Sequence, residues 1–283
     1  MQKQIQWFPG HMAKARRQME ENLKKVDMII EIRDARIPLT SHNPMLEQIG
    51  PGKPRLIILS KTDKADPELT KQWVKALTTD NSQVIAADLI HNNYKNQLVK
   101  MSQQLCAPLI EKQKRRGMKP RALRAMVAGI PNVGKSTMIN TLARRKAAQT
   151  GDKPGVTKSL QWIRLDKDLE LLDTPGVLWP KFDDPTDGIK LALLGSIKDD
   201  VVSMDDLALY ACQWLMDHHP QALTEYYQVQ LQPTPWETLE AIARKRGWLS
   251  RGEVDETRTM RAFVQDIRDN RLGPLTWEEP AHD

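Results

Sequence analysis

Apolar residues follow two spacings in the first 200 residues, and together they predict alternating strands and helices. The apolar runs at 28–32 and 55–59 do not alternate with polar residues, which is typical of buried parallel strands. Further strands are predicted at 83–87 and 124–128, and helices at 11–26, 66–77, 96–111 and 135–142. Residues 160–165 and 168–172 flank a tight turn and should form an antiparallel hairpin. This pattern predicts an α/β fold with a doubly wound sheet.

The pattern becomes wholly helical after about residue 200. Ser203 is a predicted helix start, and Thr234-Pro235-Trp236-Glu237 is a capping box with proline at the first helical position. Gly247 should end that second helix, and a third helix should stop near Gly273-Pro274. We therefore expect two domains, residues 1–200 and residues 201–283, of which the second is small and all-α.

Composition narrows the class of protein without deciding its function. The 283 residues carry a formal net charge of +6, and a basic surface suggests a polyanionic partner. Seven Lys or Arg and no acid lie between residues 112 and 124, where Gly117 and Pro120 predict a linker. Cys106 and Cys212 have no disulfide or metal-ligand spacing. Because membrane-span and signal-peptide patterns are missing, we expect a cytoplasmic protein without a membrane partner.

The strongest chemical signal is a complete Walker A loop, Gly129-Ile130-Pro131-Asn132-Val133-Gly134-Lys135-Ser136, between a predicted strand and a predicted helix. Successive backbone N–H groups of such a loop surround phosphates, and the helix that follows adds its positive end. Lys135 should contact the β- and γ-phosphates, and Ser136 should coordinate Mg²⁺. The predicted nucleotide contacts here are Asn132, Val133, Gly134, Lys135, Ser136 and Thr137.

Two further segments have the chemistry of a nucleotide-dependent switch. Asp173-Thr174-Pro175-Gly176 begins 37 residues after Ser136, at the end of a predicted strand. Asp173 suits a water-mediated Mg²⁺ contact, and the Gly176 N–H suits the γ-phosphate. Thr157, in Pro154-Gly155-Val156-Thr157, suits a second hydroxyl on the Mg²⁺ side. Alone it reads as an ordinary loop threonine, but its position between the two motifs favours the switch role.

A guanine-recognition element is predicted at Ser60-Lys61-Thr62-Asp63, a variant of Asn/Thr-Lys-x-Asp. Asp63 should accept the hydrogens on N1 and N2 of the base, and the stem of Lys61 should cover the ring. Ser60 stands where asparagine is commonest, and a hydroxyl has one donor where an amide has two. Adenine lacks the donors that Asp63 requires, which argues against an ATP enzyme. The contact to guanine O6 is expected at Ala86 and Ala87, where the usual serine is missing.

The guanine element precedes the Walker loop, whereas ordinary GTPases have the reverse order. A circular permutation, which joins the old termini and opens new ones, accounts for this order. The opening falls after Asp173–Gly176, so the segment that senses the γ-phosphate leads into the helical domain through residues 177–185. Loss of γ-phosphate contacts should relax that segment, and we hypothesise that this changes how residues 203–283 are placed on RNA.

The group that activates water for hydrolysis is left open by the residues alone. Val177 stands where ordinary GTPases place a water-orienting glutamine, and valine cannot orient water. His11, in Trp7-Phe8-Pro9-Gly10-His11-Met12, is a candidate, although spacing alone favours a packed or helix-capping histidine. Asn132 offers a second device, because its amide could help to hold a monovalent cation over the phosphates. The candidate catalytic residues are His11, Lys135 and Thr157.

Together these residues resemble the circularly permuted GTPases of the ribosome biogenesis GTPase A family. The resemblance spans nearly the whole chain: 7–12, Asp34-Ala35-Arg36-Ile37-Pro38, 60–63, 129–136, 154–157 and 173–176. It implies a cytoplasmic GTPase that uses GTP and Mg²⁺, acts late in assembly of the large ribosomal subunit, and engages ribosomal RNA through its C-terminal helices. It also implies a catalytic His11 and potassium-stimulated hydrolysis through Asn132. Ser60 and Ser41-His42-Asn43-Pro44 depart from the family pattern.

The resulting hypothesis is a switch that binds the large-subunit precursor and its rRNA with GTP and leaves after hydrolysis. The alternative is a GTP-gated RNA-binding protein whose hydrolysis is incidental. An RNA-modification partner is disfavoured because the chain has no second catalytic constellation. Residues 112–124, 144–158 and 244–246 are candidate RNA contacts or solvated faces, and Trp236 and Trp248 could stack on bases. We expect a monomer and no DNA partner.

Overall fold

The chain forms two compact units. The computed structural model describes residues 9–119, 121–143, 161–176, 178, 182, 184–197 and 202–281, with the backbone alone for 9–13 and 15. One unit consists of Gln6–Lys181 together with Thr276–Asp283, and the other contains Phe182–Leu275. These bounds differ from those of the predicted domains. The second unit begins before residue 200, and the last residues of the chain belong with the first unit.

The first unit is built on a six-stranded sheet. Its strands are β1 (Met28–Asp34), β2 (Arg55–Ser60), β3 (Ser82–Ala86), β4 (Leu123–Gly129), β5 (Gln161–Arg164) and β6 (Leu169–Asp173). Their order in the sheet is β3-β2-β1-β4-β6-β5. All neighbours are parallel except β5, which pairs antiparallel with β6. The predicted α/β fold and its hairpin are confirmed.

Six helices accompany this sheet in the described part of the first unit. They are α1 (Pro9–Leu23), α2 (Met45–Ile49), α3 (Pro67–Leu77), α4 (Lys95–Leu105), α5 (Ala107–Arg115) and α6 (Lys135–Ala143). Helix α3 begins where Asp66 accepts a hydrogen bond from Leu69 N at 2.8 Å, directly before a proline. Helix α1 packs Met19 and Leu23 into one cluster with Ile29, and this burial away from water secures the helix on the sheet.

Two predictions between residues 96 and 124 are wrong in their bounds. The single helix expected at 96–111 is divided at Cys106 into α4 and α5. Pro108 explains the division, because it has no N–H with which to continue the hydrogen bonds of α4. The expected linker is shorter than 112–124, since α5 runs to Arg115 and β4 begins at Leu123.

The second unit is mainly helical. It contains α7 (Pro185–Leu193), α8 (Met204–His218), α9 (Pro220–Tyr227), α10 (Pro235–Arg246), β7 (Leu249–Ser250), β8 (Glu253–Val254) and α11 (Glu256–Arg268). The capping box is confirmed, because Thr234 and Glu237 each accept a hydrogen bond from the other's backbone N–H. Helix α10 ends at Gly247, whose φ of 69° is readily adopted by glycine. The expectation of a wholly helical segment is wrong at the short β7–β8 hairpin.

Helix α8 lies at the centre of this second unit and packs against α7, α9, α10 and α11. The unit also buries a polar contact, in which Tyr227 Oη donates to Asp266 Oδ2 over 2.9 Å. Burial raises the pKa of Tyr227, so the phenol keeps its proton and the hydrogen bond. Across the described residues, no helix is both long enough and apolar enough to span a membrane.

Candidate functional site

The Walker loop connects β4 to α6 by a backbone path that requires glycine. A Cβ on Gly129 would lie 2.8 Å from the Ile32 carbonyl oxygen and 2.8 Å from a methyl carbon of Val133. Gly134 has a φ of 103°, which L side chains rarely adopt. Asn132 also has positive φ, 58°, a conformation that asparagine tolerates better than most residues. The loop is therefore wound as expected for one that turns its amides toward phosphates.

Lys135 and Asp173 meet beneath this loop. Lys135 Nζ donates to Asp173 Oδ1 over 2.7 Å, and the two side chains are 6% and 2% exposed. Lys135 is the first residue of α6, whereas Asp173 is the last residue of β6. The sheet brings them together because β6 pairs with β4, with Asp173 opposite Val127. Lys135 was predicted from sequence to contact the phosphates and Asp173 to contact Mg²⁺ through water, and the structure brings the two side chains together.

The segment after Asp173 lies against the Walker loop. Thr174 Oγ1 donates to the Val127 carbonyl over 2.7 Å, which fastens the segment to β4. A Cβ on Gly176 would lie 3.2 Å from both Cα and N of Pro131. This close approach of two backbones explains why glycine stands at 176. The Gly176 N–H, predicted to contact the γ-phosphate, is therefore held beside the loop that would bind the same phosphate.

The guanine element is joined to the Walker loop through Ser60. The Ser60 hydroxyl lies 2.7 Å from the Val133 carbonyl oxygen and 3.0 Å from that of Arg33. A hydroxyl has a single proton, and the shorter distance assigns it to Val133. Ser60 ends β2 and is fully buried. The departure from asparagine at this position thus still supplies a direct hydrogen bond between the two nucleotide motifs.

Lys61 is held by a carboxylate, that of Asp34, which was not assigned to the site from the sequence. Lys61 Nζ lies 2.9 Å from Asp34 Oδ2, and Asp34 also accepts two hydrogen bonds from the guanidinium of Arg36. Burial alone would raise the pKa of Asp34, but Arg36 and Lys61 hold it well below its ordinary value. Burial and the charge of Arg36 lower the pKa of Lys61, whereas Asp34 opposes them. Asp34 is therefore an ionised anchor for the lysine that should cover the base.

Asp63 follows in the short 3₁₀ turn Thr62–Lys64, and its side chain is exposed. Lys61 precedes this turn in the left-handed conformation, with a φ of 57°. That backbone reversal directs the chain from β2 into the turn that carries Asp63. An accessible carboxylate at this position is what recognition of N1 and N2 of guanine requires.

The loop after β3 contributes residues that sequence reasoning missed. Asp88 Oδ2 lies 2.6 Å from His91 Nδ1, and Asp88 also accepts the N–H of Ile90. The hydrogen bond and charge of Asp88 raise the pKa of His91, and the charge of Asp63 adds to this. Ala87, predicted to contact guanine O6 together with Ala86, donates its N–H to the Leu59 carbonyl.

The segment that departs from the family pattern, Ser41-His42-Asn43-Pro44, packs on a buried carboxylate. Glu31 accepts the N–H of Asn43 at 3.2 Å, and His42 Nδ1 lies 2.7 Å from the same carboxylate. Arg33 donates to the other oxygen of Glu31 over 2.9 Å. These contacts give the segment a structural role in holding the loop after β1.

Three predicted positions remain without side-chain geometry. His11 lies in α1, of which only the backbone is described at that residue. Thr157 and Val177 lie outside the described residues. Ser136 and Thr137 are in the first turn of α6 and are half-buried.

Comparison with known proteins agrees with this arrangement. A family model described as 50S ribosome-binding GTPase matches residues 124–236. The chain is 45% identical over 278 residues to Ribosome biogenesis GTPase A of Bacillus licheniformis, and the alignment covers 98% of each chain. This chain belongs to the ribosome biogenesis GTPase A family. It is therefore a GTPase.

Two solved structures resemble this GTPase over most of its length. The GNP-bound structure of YlqF from T. maritima has a TM-score of 0.65 and 26% sequence identity, and the match covers 95% of this chain and 100% of that one. The GDP-bound structure of the same protein has the same TM-score and identity, with coverages of 93% and 99%. These likenesses agree with nucleotide binding by this chain.

The sheet order shows how this GTPase accommodates its reversed motif order. The guanine element follows β2 and the Walker loop follows β4, with only β1 between these two strands. Because β1, β2 and β4 are parallel, their carboxyl ends lie at one edge of the sheet. Exchanging the order of these strands along the chain leaves both motifs at that edge. The predicted circular permutation is consistent with membership of this family.

Proposed function

We propose that this GTPase is a molecular switch in late assembly of the large ribosomal subunit. It binds the precursor particle and its rRNA in the GTP state and leaves after hydrolysis. The hydrogen bond from Ser60 to Val133 carries the proposal, because it joins a guanine-reading element to a phosphate-binding loop. The names of its relatives support the choice of a ribosomal partner.

In the proposed site, Asp63 accepts hydrogens from the base and Lys61 covers the ring. The O6 contact is assigned to the segment of Ala86 and Ala87, although the N–H of Ala87 is already bonded to the Leu59 carbonyl. Asn132, Val133, Gly134, Lys135, Ser136 and Thr137 surround the phosphates, together with the Gly176 N–H. Thr62 lies in the turn that carries Asp63. The wound backbone of the Walker loop and the exposed carboxylate of Asp63 support these assignments.

Mg²⁺ is the proposed metal, held through Ser136, Thr157 and Asp173. The described part of this donor set fits, because a hydroxyl in the first turn of α6 and a carboxylate at the end of β6 are the hard oxygen ligands that Mg²⁺ prefers. When bound, Mg²⁺ neutralises charge on the β- and γ-phosphates. With nucleotide bound, Lys135 would donate to phosphate oxygens instead of to Asp173, and the Asp173 carboxylate would be available to hold the metal.

We further propose that His11 orients or activates the attacking water, with Lys135 and Thr157 stabilising the reacting γ-phosphate. Asn132 is the proposed support for K⁺ over the phosphates, where a cation would replace the charge of an arginine finger. The left-handed backbone of Asn132 within the Walker loop supports its placement near the phosphates.

The second unit is the proposed RNA-binding part. Residues 244–261, from the end of α10 to α11, contain six basic and three acidic residues. Arg246 is engaged within the unit, because its guanidinium lies 4.6 Å from the ring centre of Tyr226. Exposed Arg244, Lys245 and Arg258 remain suited to phosphate contacts. A cytoplasmic monomer would suffice for this role.

The proposal is tested by sedimentation with large-subunit precursor particles at several salt concentrations, with a non-hydrolysable GTP analogue, GDP or no nucleotide. We expect cosedimentation with the analogue, release with GDP, and a steep loss of binding as salt rises. Equal binding in all three nucleotide states would contradict the switch.

A further inference from the structure

The chain leaves the helical unit at Leu275 and ends on the sheet-containing unit. Thr276, Trp277 and Glu278 are all buried, with exposures of 1%, 3% and 8%. This segment, Thr276–Glu278, is called the C-terminal clamp below. A chain end with no structural task is usually exposed and poorly held. The burial of three successive residues, two of them polar, calls for a specific explanation.

Glu278 holds the loop that follows β1. Its carboxylate accepts the N–H of Leu39 at 2.7 Å and the N–H of Thr40 at 3.2 Å. It also accepts a hydrogen bond from the Thr40 hydroxyl. A buried carboxylate is costly to desolvate, and convergent N–H and O–H donors offset that cost. The Leu39–Thr40 turn is thus held by a residue at the opposite end of the chain.

Thr276 and Trp277 hold the two loops nearest the base-recognition residues. Thr276 Oγ1 accepts the N–H of Asp66 at 3.0 Å, three residues after Asp63. Trp277 N donates to the Arg36 carbonyl over 2.8 Å. The clamp therefore bonds to the loop after β1 and to the segment after β2 in consecutive residues. The same two segments are also joined by the Asp34–Lys61 pair and by the hydrogen bond from the Ala35 N–H to the Ser60 carbonyl.

Two chains of contacts connect the clamp to Lys61 and to the turn that carries Asp63, the residues proposed to recognise the base. Trp277 fixes the backbone of Arg36, Arg36 grips Asp34 with two hydrogen bonds, and Asp34 holds the Lys61 ammonium at 2.9 Å. On the other side, Thr276 bonds to Asp66, which caps α3 directly after the turn that carries Asp63.

We propose that Glu278 and Thr276 are positioning residues for guanine recognition: the C-terminal clamp sets the spacing between the loop after β1, where Arg36 holds Asp34 against Lys61, and the segment after β2, which carries Asp63. The inference rests on the proposed role of Asp63 and extends it to residues more than 200 positions away.

The test measures the affinities of GDP and inosine diphosphate for Glu278→Gln, Thr276→Val and the matched control Glu279→Gln. Glu279 is the exposed neighbour, so its variant makes the same charge change outside the clamp. Inosine lacks the 2-amino group, so the ratio of the two affinities reports how well Asp63 meets the base. We expect Glu278→Gln to weaken GDP binding by about tenfold and to reduce the preference for GDP, since a charge-assisted hydrogen bond is lost.

The kinetic readout separates positioning from catalysis. KM for GTP should rise in Glu278→Gln and Thr276→Val, whereas kcat at saturating GTP should change little. Thr276→Val keeps the side-chain shape, and it provides a second test of the clamp if Glu278→Gln folds poorly. A fall in GDP and inosine diphosphate affinity by the same factor, or no fall in either, would overturn the inference, because a purely structural role moves both together.

Asp63→Asn distinguishes failure of the clamp from failure of the guanine assignment. This variant should have a lower affinity for GDP and a higher affinity for xanthosine diphosphate, because the 2-oxo group of xanthine accepts a hydrogen bond from the asparagine amide. If Asp63→Asn keeps wild-type affinity for GDP, the guanine assignment and the clamp both fail. If it switches as expected while Glu278→Gln behaves as wild type, only the role of the clamp fails.

Discussion

The Ser60 hydroxyl and the Val133 carbonyl oxygen lie 2.7 Å apart, although 73 residues separate them in the chain. This hydrogen bond joins the end of β2 to the Walker loop at the carboxyl edge of the sheet. A serine side chain thus connects the predicted base-recognition element directly to the predicted phosphate-binding loop. An asparagine is commonest at this position, so the structure explains how the shorter side chain remains compatible with nucleotide binding.

Replacing Ser60 with alanine should weaken GDP binding. The variant leaves the Val133 carbonyl without this partner, at a cost of about 1 kcal/mol or more, equivalent to roughly five- to tenfold in affinity. Fluorescent-nucleotide titration measures the effect. Ser102→Ala is the matched control, because Ser102 is also buried but donates within α4, to the Leu98 carbonyl at 2.8 Å. Equal GDP affinities in the two variants would argue against a role of the Ser60–Val133 hydrogen bond in nucleotide binding.

Replacing His11 with alanine should lower turnover without weakening GTP binding. Loss of a group that activates water typically costs about 10²-fold or more in rate. Single-turnover hydrolysis, measured alone and on ribosomal particles, checks the rate, and nucleotide titration checks binding. Unchanged turnover on the particles would refute the catalytic role and would favour the GTP-gated RNA-binding alternative. His218→Ala, an exposed histidine of α8, should leave turnover of the isolated protein unchanged.

Asp173→Asn should abolish the dependence of GTP affinity on Mg²⁺. Removal of Mg²⁺ from the wild type should reduce hydrolysis to background, and the variant should hydrolyse at least about 100-fold more slowly at any Mg²⁺ concentration. Because Asp173 is paired with buried Lys135, the nucleotide-free variant should also lose about 3 kcal/mol of stability. Asp168→Asn, directly before the same strand, is the control. Wild-type Mg²⁺ dependence in Asp173→Asn would remove Asp173 from the metal site.

Glu31 should make the sheet-containing unit sensitive to acid. Burial would raise its pKa, but the Arg33 guanidinium and the hydrogen bond with His42 lower the pKa from 4.5 to about 2. A lowered folded-state pKa stabilises the protein above pH 4.5, and this contribution is lost as the pH falls toward 2. Denaturant unfolding between these pH values should show the loss.

Glu31→Gln isolates this contribution. It leaves buried Arg33 without its carboxylate, so we expect a loss of about 3–5 kcal/mol at neutral pH and a weaker acid dependence. Glu170→Gln is the comparison, because Glu170 pairs with partly exposed Arg124 and should contribute less than about 1 kcal/mol. An identical acid profile in Glu31→Gln and wild type would show that other groups govern the sensitivity.

Local patterns predicted elements of both units. The runs at Met28–Asp34 and Arg55–Ser60 were identified as parallel strands because they are apolar without alternation, and both are buried as predicted. The helix that begins at Thr234 was identified from its capping box, whose two hydrogen bonds lie within four residues. The break at Cys106 was missed, because apolar periodicity continues through it and only Pro108 signals it.

The contacts that Asp34 makes with Lys61 and that Glu278 makes with Thr40 could not be predicted from the sequence. Asp34 was recognised only within a motif, and its contact with Lys61 depends on the pairing of β1 with β2. Glu278 lies in a polar chain end with no pattern of its own, yet it bonds to Thr40 across 238 residues. Neither contact has a signal in the spacing of residues along the chain.

The sequence by itself predicted the chemistry: a phosphate loop, a metal-side aspartate and a guanine-reading carboxylate, each carried by a few contiguous residues. It also determined their permuted order, from which the place of the helical unit after Gly176 follows. Only the tertiary structure decided how these motifs are held, through Ser60 on Val133, Asp34 on Lys61 and the C-terminal clamp on both loops. The physical reason is that hydrogen bonds between distant residues depend on strand order and register, whereas a motif's chemistry depends on its neighbours in the chain.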